Sequence, residues 1–459
     1  MSRLDALLIN PVSAKMAPAF IPHGLLYIGA YALEQGYSVD IYDRNVESKD
    51  VAEIIQKTSP RVVGLGCLTG SAIDDAIYVC EQIRKVDPSI KIVWGGIHTT
   101  LYPDIVLRND FVDFVVCGDG EIAFSKILDN VMNSNMHLES IDNLGYKDAQ
   151  DLKYNKRSFV DLNNVPLPAW HLIKVENYIR KKFYANRVLT INTSRGCPYK
   201  CSFCCVPTVH RGSWRAMSAE RIFTQLKYLS DNYNIDGFQV DDDEFDIDRA
   251  RVLKLCDLFK ENNANFKWSH FSRVNIVKEE VLAKEIDCGL SLIEFGLESG
   301  SRRMLKFLNK NQTLEQIHKA YSICKNLGLR TSALFMVGLP TESEQEVKQT
   351  AKLVKRLKPH LAICTLYRPY PGTELFDYCM DKGLFNYESN LREASKVYDK
   401  LINTSQIKTK VLLKIKAYFD KYNIYQEIKL ILKKFKVGLL FYYFKHYVLK
   451  SQKSISKWN

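Results

Sequence analysis

Three closely spaced cysteines are the residues of this chain best suited to chemistry. Cys197, Cys201 and Cys204 follow the pattern C-x3-C-x2-C, directly after an apolar run at Val188–Thr193. An odd number of thiols on one short loop cannot pair fully into disulfides, but three thiolates can hold three irons of a [4Fe–4S] cube. The fourth iron then has no protein ligand and is open to a small molecule. The spacing therefore predicts an iron–sulfur cluster with an open iron.

Zinc binding and chance clustering are the alternatives for these cysteines. Zinc sites usually draw on two pairs of ligands and close all four positions. Cys205 is adjacent to Cys204, too close for a normal fourth ligand to the same metal, and no CxxC follows. His210 is a conceivable zinc ligand, but it stands alone beside Arg211. The pattern favours the cluster and leaves Cys205 without a role.

The cysteine loop resembles the signature of the radical S-adenosylmethionine enzymes, Cys-x3-Cys-x-aromatic-Cys, with Phe203 in the aromatic position. The resemblance implies that the open iron binds the amino and carboxylate groups of S-adenosylmethionine. It implies that electron transfer then cleaves the sulfonium to a 5′-deoxyadenosyl radical, and that a flavodoxin or ferredoxin type of protein supplies the electron. The cofactors would carry the difficult chemistry, and the protein would orient them.

Composition and charge bound the class of protein. A chain of 459 residues that is 46% hydrophobic predicts two or three domains. Twelve cysteines are too few for a disulfide scaffold, and most of the others stand on apolar segments as buried thiols would. The net charge of +12 is concentrated at residues 403–459, where thirteen lysines face only Asp420 and Glu427. The basicity belongs to a tail and does not indicate a nucleic-acid partner.

Short apolar runs alternate with helical patterns over residues 4–131. The strand candidates are Ala6–Asn10, Ser38–Tyr42, Val62–Gly66, Ile92–Trp94 and Phe114–Val116. Five β/α units of this length predict an α/β fold with a doubly wound, flavodoxin-like parallel sheet, whose ligands bind beyond the carboxyl ends of the strands. A nicotinamide site is disfavoured because G-x-G-x-x-G is missing, and a phosphate loop because GKS and GKT are missing. A phosphoacceptor receiver domain lacks its acidic pair after the first strand.

This region resembles the cobalamin-binding domain of cobalamin-dependent radical S-adenosylmethionine enzymes. The resemblance rests on Ile21–Ile28, Gly95-Gly96-Ile97-His98 and Gly118-Asp119-Gly120-Glu121, and it covers roughly residues 4–395. The Asp-x-His-x-x-Gly motif of other cobalamin domains is absent, which implies a corrin without a histidine under cobalt. His98 is then a loop residue near the nucleotide tail or, alternatively, a cobalt ligand. The cobalamin-binding candidates are Asn10, Thr69, Ser71, Gly95, Gly96, His98 and Gly118.

The predicted domains are a cobalamin-binding domain at 1–140, a linker at 141–185, a radical S-adenosylmethionine core at 186–395 and a basic helical region at 396–459. Pro166 and Pro168 favour an extended connector. The core continues the β/α alternation with six units and predicts a partial (β/α)6 barrel of the TIM type, with its active site at the C-terminal ends of the strands.

Phe203 of the cysteine loop and polar residues at those strand ends are the candidates for binding S-adenosylmethionine. Asp242 and Asp243 lie in an acidic run that could accept the ammonium group, although a solvated turn before a helix is the alternative. Arg273 could pair with the carboxylate or be a surface arginine. Glu298 could bind ribose hydroxyls or be a solvated loop acid. The resemblance places Gly338 near the adenine.

The tail and the N-terminus bear on location. Gly438–Leu449 is too short to span a bilayer, and a basic segment rich in aromatics could lie on an anionic membrane surface or pack as a helical cap on the barrel. The N-terminus has no secretory pattern, and a low-potential cluster needs a reducing compartment. The expected location is the cytoplasm, with peripheral membrane contact through the tail as one alternative.

The combined resemblance implies a cobalamin-dependent methyltransferase that acts on an unactivated carbon or phosphorus centre of a small-molecule, lipid or natural-product substrate. An oxidative cyclase or ring-rearrangement enzyme built from the same parts is the second hypothesis. The third is a methylthiotransferase without cobalamin, whose second cluster would need a set such as Cys67, Cys80 and Cys117.

Overall fold

The computed structural model describes residues 3–13, 19–133, 137–387, 390–398 and 400–433, and of residues 430–433 it describes only the backbone. The strands are β1 (Ala6–Asn10), β2 (Val39–Asp43), β3 (Val62–Gly66), β4 (Lys91–Gly95), β5 (Phe114–Val116), β6 (Leu144–Asp148), β7 (Asp151–Tyr154), β8 (Val188–Ile191), β9 (Ser194–Gly196), β10 (Trp214–Ala216), β11 (Gly237–Val240), β12 (Lys267–Ser272), β13 (Leu290–Glu298), β14 (Arg330–Val337) and β15 (Leu361–Leu366). The α-helices are α1 (His23–Glu34), α2 (Val51–Thr58), α3 (Ala72–Val86), α4 (Ile97–Leu101), α5 (Pro103–Leu107), α6 (Glu121–Asn133), α7 (Val206–Val209), α8 (Ala219–Tyr233), α9 (Arg249–Glu261), α10 (Glu279–Asp287), α11 (Arg302–Phe307), α12 (Leu314–Asn326), α13 (Glu344–Leu357), α14 (Glu374–Asp381), α15 (Leu391–Val397) and α16 (Thr409–Lys433).

The chain divides into two compact units. The first comprises Met1–Phe271, Glu280–Leu290 and Arg368–Ile402, as far as these residues are described. The second comprises Ser272–Glu279, Ser291–Tyr367 and Asn403–Asn459, with the same restriction. The first unit therefore contains both the predicted cobalamin domain and the cysteine loop.

The N-terminal sheet has the strand order β2-β1-β3-β4-β5-β6-β7. Strands β1 to β5 are parallel, and their order is that of a doubly wound, flavodoxin-like sheet with its switch point between β1 and β3. The strands form where the sequence is almost continuously apolar, as at Ala6–Ile9, because helices cover both faces of such a sheet. The predicted doubly wound sheet is confirmed.

The segment predicted as a linker begins as part of this sheet. Strands β6 and β7 lie within residues 141–185, and β6 pairs antiparallel with β5. Leu144 is buried in this position, so the strand extends the core instead of running free of it. Farther on, the proline-rich stretch is also anchored, because the Ala169 amide donates to the Leu26 carbonyl at 3.2 Å and Trp170 is buried.

The second half of the fold repeats the β/α alternation. In the first unit, β11 pairs parallel with β8 and with β12. In the second unit, β14 pairs parallel with β13 and with β15. Helices α12 and α13 begin at capping boxes, formed by Thr313 with Gln316 and by Ser343 with Glu346. The partial parallel half-barrel and the helical C-terminal region agree with the predicted fold class.

Helix α16 packs on the end strand of the second unit's sheet. The Ala362 amide of β15 donates to Asn423 Oδ1 at 2.8 Å, and Asn423 Nδ2 donates to the Ala362 carbonyl at 2.9 Å. Leu412 and Phe419 are buried on the inner side of this helix. For Thr409–Lys433 the structure therefore favours the helical cap over a membrane-bound segment, whereas Gly438–Leu449 lies outside the described residues. Within the described ranges, no helix is both long and apolar enough to cross a bilayer.

Candidate cofactor sites

The cysteine loop runs from β9 to α7 in the first unit. Gly196, the last residue of β9, has φ +88°, and a Cβ there would lie 2.1 Å from the Ser213 carbonyl oxygen. Only glycine fits at this position, so the residue before Cys197 is fixed by the close approach of the backbone. At the other end, the Cys204 amide donates to the Cys201 carbonyl at 3.0 Å and closes a tight turn.

The three thiols differ in exposure. Cys201 is buried, whereas Cys197 and Cys204 are half-buried. Burial raises the pKa of the Cys204 thiol to about 12, and a bound metal reverses such a shift by taking the thiolate. Among the residues that the structure describes, no three His, Cys, Asp or Glu side chains are placed to share one metal ion. A cube binds each thiolate to a different iron, which is the arrangement that the C-x3-C-x2-C spacing predicts.

The neighbouring residues of the loop have separate roles. Cys205 immediately precedes α7 as its N-cap residue, and its carbonyl accepts the Thr208 and Val209 amides at 3.0 and 2.9 Å. This gives Cys205 a backbone role that its position in the sequence did not show. Phe203 is half-buried between Cys201 and Cys204.

The acidic run after β11 is tied to the strand that leads into the cysteine loop. Asp242 accepts hydrogen bonds from the Thr193 amide and hydroxyl, both at 2.6 Å, and from the Ser194 hydroxyl at 2.7 Å. Asp243 accepts one from the Gly196 amide at 3.0 Å and remains exposed. Asp242 is only 4% exposed, so a solvated turn does not describe it. Its oxygens are engaged in holding the loop, and Asp243 has more freedom to accept a ligand's ammonium group.

The cobalamin-binding candidates lie along one edge of the N-terminal sheet, each at or just beyond the carboxyl end of β1, β3, β4 or β5. Asn10 ends β1, and its carbonyl accepts the Arg44 amide at 3.1 Å. The Ser71 hydroxyl donates to the Ser13 carbonyl at 2.5 Å and ties two of these loops together. The structure thus brings the predicted residues to the edge where ligands of such sheets bind.

Glycines occupy three positions of this edge. A Cβ at Gly95 would be in ordinary van der Waals contact, 3.9 Å from the Val116 carbonyl oxygen. Gly96 has φ +93°, and a Cβ there would lie 2.7 Å from the Cys67 carbonyl oxygen. Gly118 has φ +98°, and its amide donates to the Thr100 hydroxyl at 2.9 Å. The positive φ of Gly96 and Gly118 turns the backbone at the edge where the resemblance implies a corrin.

His98 is fully buried beside this edge. Its Nδ1 lies 3.3 Å from the Thr69 hydroxyl, and its Nε2 has no hydrogen-bond partner in the part of the chain that the structure describes. Burial lowers its pKa to about 4, so the imidazole is neutral at pH 7. The contact with Thr69 suits the loop role, whereas neutrality does not distinguish the two roles, since a metal-ligating histidine is also a neutral imidazole.

The remaining candidates for S-adenosylmethionine lie in the second unit. Arg273 is 4% exposed and donates to the Asn275 side chain at 3.3 Å and to the Lys310 carbonyl, so it is not a surface arginine. Glu298, at φ +63°, is 8% exposed and pairs with Lys310 Nζ at 2.8 Å, so it is not a solvated loop acid. Gly338, at φ +80°, donates its amide to Glu342 Oε2 at 2.7 Å.

Sequence reasoning missed the partners of these residues. Lys310 and Gln312 belong to the turn before α12, and Gln312 Nε2 donates to the Leu297 carbonyl at 2.9 Å. The polar run Asn309–Gln312, with two asparagines at positive φ, is a turn signal that could have drawn attention to them. Glu342 is another such partner, because its carboxylate accepts the Gly338 and Leu339 amides at 2.7 and 3.3 Å. Burial raises its pKa to about 7.

A second cluster on the N-terminal cysteines finds no support in the described structure. Cys67, Cys80 and Cys117 belong to the apolar core of the N-terminal sheet. Trp94 Nε1 lies 3.2 Å from Cys80 Sγ, and burial raises the pKa of all three thiols. They are the buried structural thiols that the sequence predicts for isolated cysteines.

Comparison with known proteins agrees with this geometry. The B12 binding domain family matches residues 9–128, and the radical SAM superfamily matches residues 191–354. An uncharacterised methyltransferase of Pyrococcus horikoshii is 31% identical over 79% of this chain and 79% of its own length. An anaerobic magnesium-protoporphyrin IX monomethyl ester cyclase of Rubrivivax gelatinosus is 28% identical over 82% of this chain and 69% of its own length.

A solved structure shares the fold. The radical S-adenosylmethionine methyltransferase TsrM from Kitasatospora setae, with cobalamin and a [4Fe–4S] cluster bound, superposes with a TM-score of 0.70 at 16% identity. The match covers 83% of this chain and 75% of TsrM. The chain belongs to the family of the Pyrococcus horikoshii methyltransferase, and it is a radical S-adenosylmethionine enzyme with a B12-binding domain.

Proposed function

We propose that this protein is a cobalamin-dependent methyltransferase that acts on an unactivated carbon or phosphorus centre of a small molecule. The observation that carries the proposal is structural: the cysteine loop and the ligand edge of the B12-binding sheet belong to one compact unit. Ion pairs of Arg195 with Asp119 and Glu121 join them directly. Two cofactors held in one unit can act on one substrate without a large movement between steps.

Residues of this chain would hold the cofactors as follows. Cys197, Cys201 and Cys204 supply thiolates to the cluster, with Phe203 beside them. Asn10, Thr69, Ser71, Gly95, Gly96, His98 and Gly118 line the edge that would hold cobalamin. When bound, the cluster would supply the electron that cleaves S-adenosylmethionine, and cobalamin would carry the methyl group.

For S-adenosylmethionine we propose Asp243, Arg273, Glu298 and Gly338 as contacts. The exposed carboxylate of Asp243 suits an ammonium group, and the guanidinium of Arg273 suits a carboxylate. Glu298 would accept from ribose hydroxyls while Lys310 balances its charge. Asp242 would act by fixing Thr193 and Ser194 instead of touching the ligand.

The proposal is tested with anaerobically reconstituted protein and S-adenosylmethionine labelled in its methyl group. Label in a methylated small-molecule product supports methyl transfer. 5′-Deoxyadenosine without a methylated product supports the oxidative cyclase or ring rearrangement, which the 28% identity to the Rubrivivax gelatinosus cyclase keeps as second candidate. Absence of a corrin spectrum after reconstitution would contradict both.

We also propose that the electron donor is a small flavodoxin or ferredoxin type of protein and that the enzyme works in the cytoplasm. The support is chemical, because a cluster of low potential needs a reducing compartment and an external source of electrons. Reduction by either donor protein, measured by the loss of cluster absorbance, tests the first point.

A further inference from the structure

Two arginines face each other on the ribbon that leads into the cysteine loop. Strands β9 and β10 pair antiparallel, and their register places Arg195 directly opposite Arg215. Like charges in this position destabilise a strand pair. Both side chains are also largely buried, with 19% and 17% of their surface exposed. The ribbon therefore needs an anion between these two residues.

Asp119 is that anion, and it comes from the B12-binding sheet. Its Oδ1 accepts from Arg195 Nη1 at 3.0 Å, and its Oδ2 accepts from Arg215 Nη1 at 2.6 Å. Glu121 adds a bond from Arg195 Nη2 at 2.5 Å. Burial raises the pKa of Asp119, but Arg195 and Arg215 outweigh it and hold the pKa below its usual value. Asp119 thus bridges the two guanidiniums, and Glu121 adds a second carboxylate to Arg195.

The group stands between the two proposed cofactor sites. Asp119 follows Gly118 in the loop between β5 and α6, at the edge proposed for cobalamin. Arg195 precedes Gly196 and Cys197, at the start of the cysteine loop. The Arg195 guanidinium also lies 5.1 Å from the ring centre of Tyr27 on α1, which orients it from a third side.

We propose that Arg195, Asp119 and Arg215 form a latch that holds the cysteine loop against the cobalamin-binding edge, and that they are positioning residues for methyl transfer. The positioning part rests on the proposed function; the latch itself does not. Neutralising the Asp119 carboxylate should strongly destabilise this contact, because two buried cations are then left with one anion. The loop then loses its fixed place relative to the edge.

The latch is tested by comparing three variants of the protein loaded with cobalamin and cluster. They are Asp119→Asn, Arg215→Gln and the double variant that combines them. Asp119→Asn should speed hydrogen exchange of the amides at 194–204 by about tenfold or more, with β1 and β3 unchanged. The double variant should recover most of this protection, because it removes the cation that Asp119 no longer balances. Asp148→Asn, which breaks an exposed ion pair with Lys153 in the same unit, is the matched control. It should change neither the exchange at 194–204 nor the exchange of β1 and β3.

The second readout is the ratio of S-adenosylhomocysteine to 5′-deoxyadenosine, which separates methyl donation from radical cleavage. Asp119→Asn should change this ratio at least severalfold, and the double variant should restore it. If Asp119→Asn does not fold, Arg195→Lys serves, because lysine keeps the charge but cannot bridge both acids.

Unchanged exchange at 194–204 in Asp119→Asn, or in Arg195→Lys where that variant replaces it, refutes the latch. A double variant no better protected than Asp119→Asn refutes the charge mechanism. Faster exchange with an unchanged product ratio reduces the latch to a structural role and overturns the positioning claim. If the wild-type protein forms no S-adenosylhomocysteine, the proposed function fails, and the exchange data still decide the latch.

Discussion

Residue identity matters most at the cysteine loop, where adjacent residues have different tasks. Cys204 stands in the motif, whereas the backbone of Cys205 starts α7. The sequence alone separates the motif cysteines by spacing, but it gives no role to Cys205. The structure supplies that role through the carbonyl of Cys205, which does not need its thiol.

Replacement of these two neighbours should therefore give opposite results. Cys204→Ser should abolish the broad visible absorbance of the reconstituted cluster, because one iron loses its thiolate. Cys205→Ser should retain the absorbance and the iron content, since the backbone bonds that start α7 remain. Absorbance spectra and iron and sulfide assays check both, and loss of the cluster in Cys205→Ser would contradict the assignment.

Glu342 gives the second unit a pH-dependent stability. It is 2% exposed, and burial raises its pKa from 4.5 to about 7. Between these values the unfolded chain has released the proton that the folded chain keeps, so folding stability falls as pH rises from about 4.5 to about 7. Above pH 7 the cost is constant.

Glu342→Gln should remove this cost while its amide oxygen can still accept from Gly338. The variant should be more stable than wild type at pH 8 by up to about 3 kcal/mol, and the difference should shrink towards pH 5. Urea unfolding of the two proteins at pH 5, 6, 7 and 8 measures the trend. A difference that does not vary with pH would show that Glu342 does not titrate in this range. Glu344→Gln, at an exposed glutamate two residues farther on, is the control.

At the scale of elements, the sequence predicts the positions of the parallel strands but not the antiparallel strands that extend the sheet. The five parallel strands of the N-terminal sheet lie within one residue of their predicted bounds, because continuous apolar runs between turns are a local signal. The sequence predicts a linker where β6 and β7 lie. These strands have few buried residues, and they are stabilised by the pairing of β6 with β5, which is not a local signal. Helix α16 lies in the region predicted to be helical, but its packing on β15 is a tertiary contact that the sequence does not show.

Asn423 imitates a neighbouring strand by satisfying both backbone groups of Ala362. Asn423→Ala should lower the free energy of unfolding by about 1–3 kcal/mol, because it leaves a buried amide and carbonyl without partners. Tyr425→Ala is the matched control on the same helix, since Tyr425 is 62% exposed. Equal destabilisation by the two substitutions in thermal or urea unfolding would contradict the capping role.

For the whole molecule, the distribution of charge separates the enzyme from its tail. The excess of lysine lies in residues 403–459. Within this region, Leu412 and Phe419 of α16 are buried in the helix's own unit. We therefore expect any membrane contact of the tail to come from residues after Lys433.

Protein shortened to residues 1–433 should not co-sediment with vesicles that contain anionic lipid, because Leu412 and Phe419 of α16 are buried within its own unit and are not available to a bilayer. The full-length chain in the same assay reports on residues 434–459, and any binding should fall as salt rises. Retention of the 1–433 protein at low salt would show that α16 itself binds lipid.

The sequence by itself determined the flavodoxin-like sheet, and it predicts the cluster cysteines and the loops at the ligand edge of that sheet. These depend on spacing, turn chemistry and hydrophobic period, which are properties of neighbouring residues. Only the tertiary structure decided the environment of the charges. It buried Arg273 and paired Glu298 with Lys310, and it placed Asp119 between two arginines 76 and 96 positions away. Such contacts join residues far apart in the chain, and their energy exists only when packing excludes water around them.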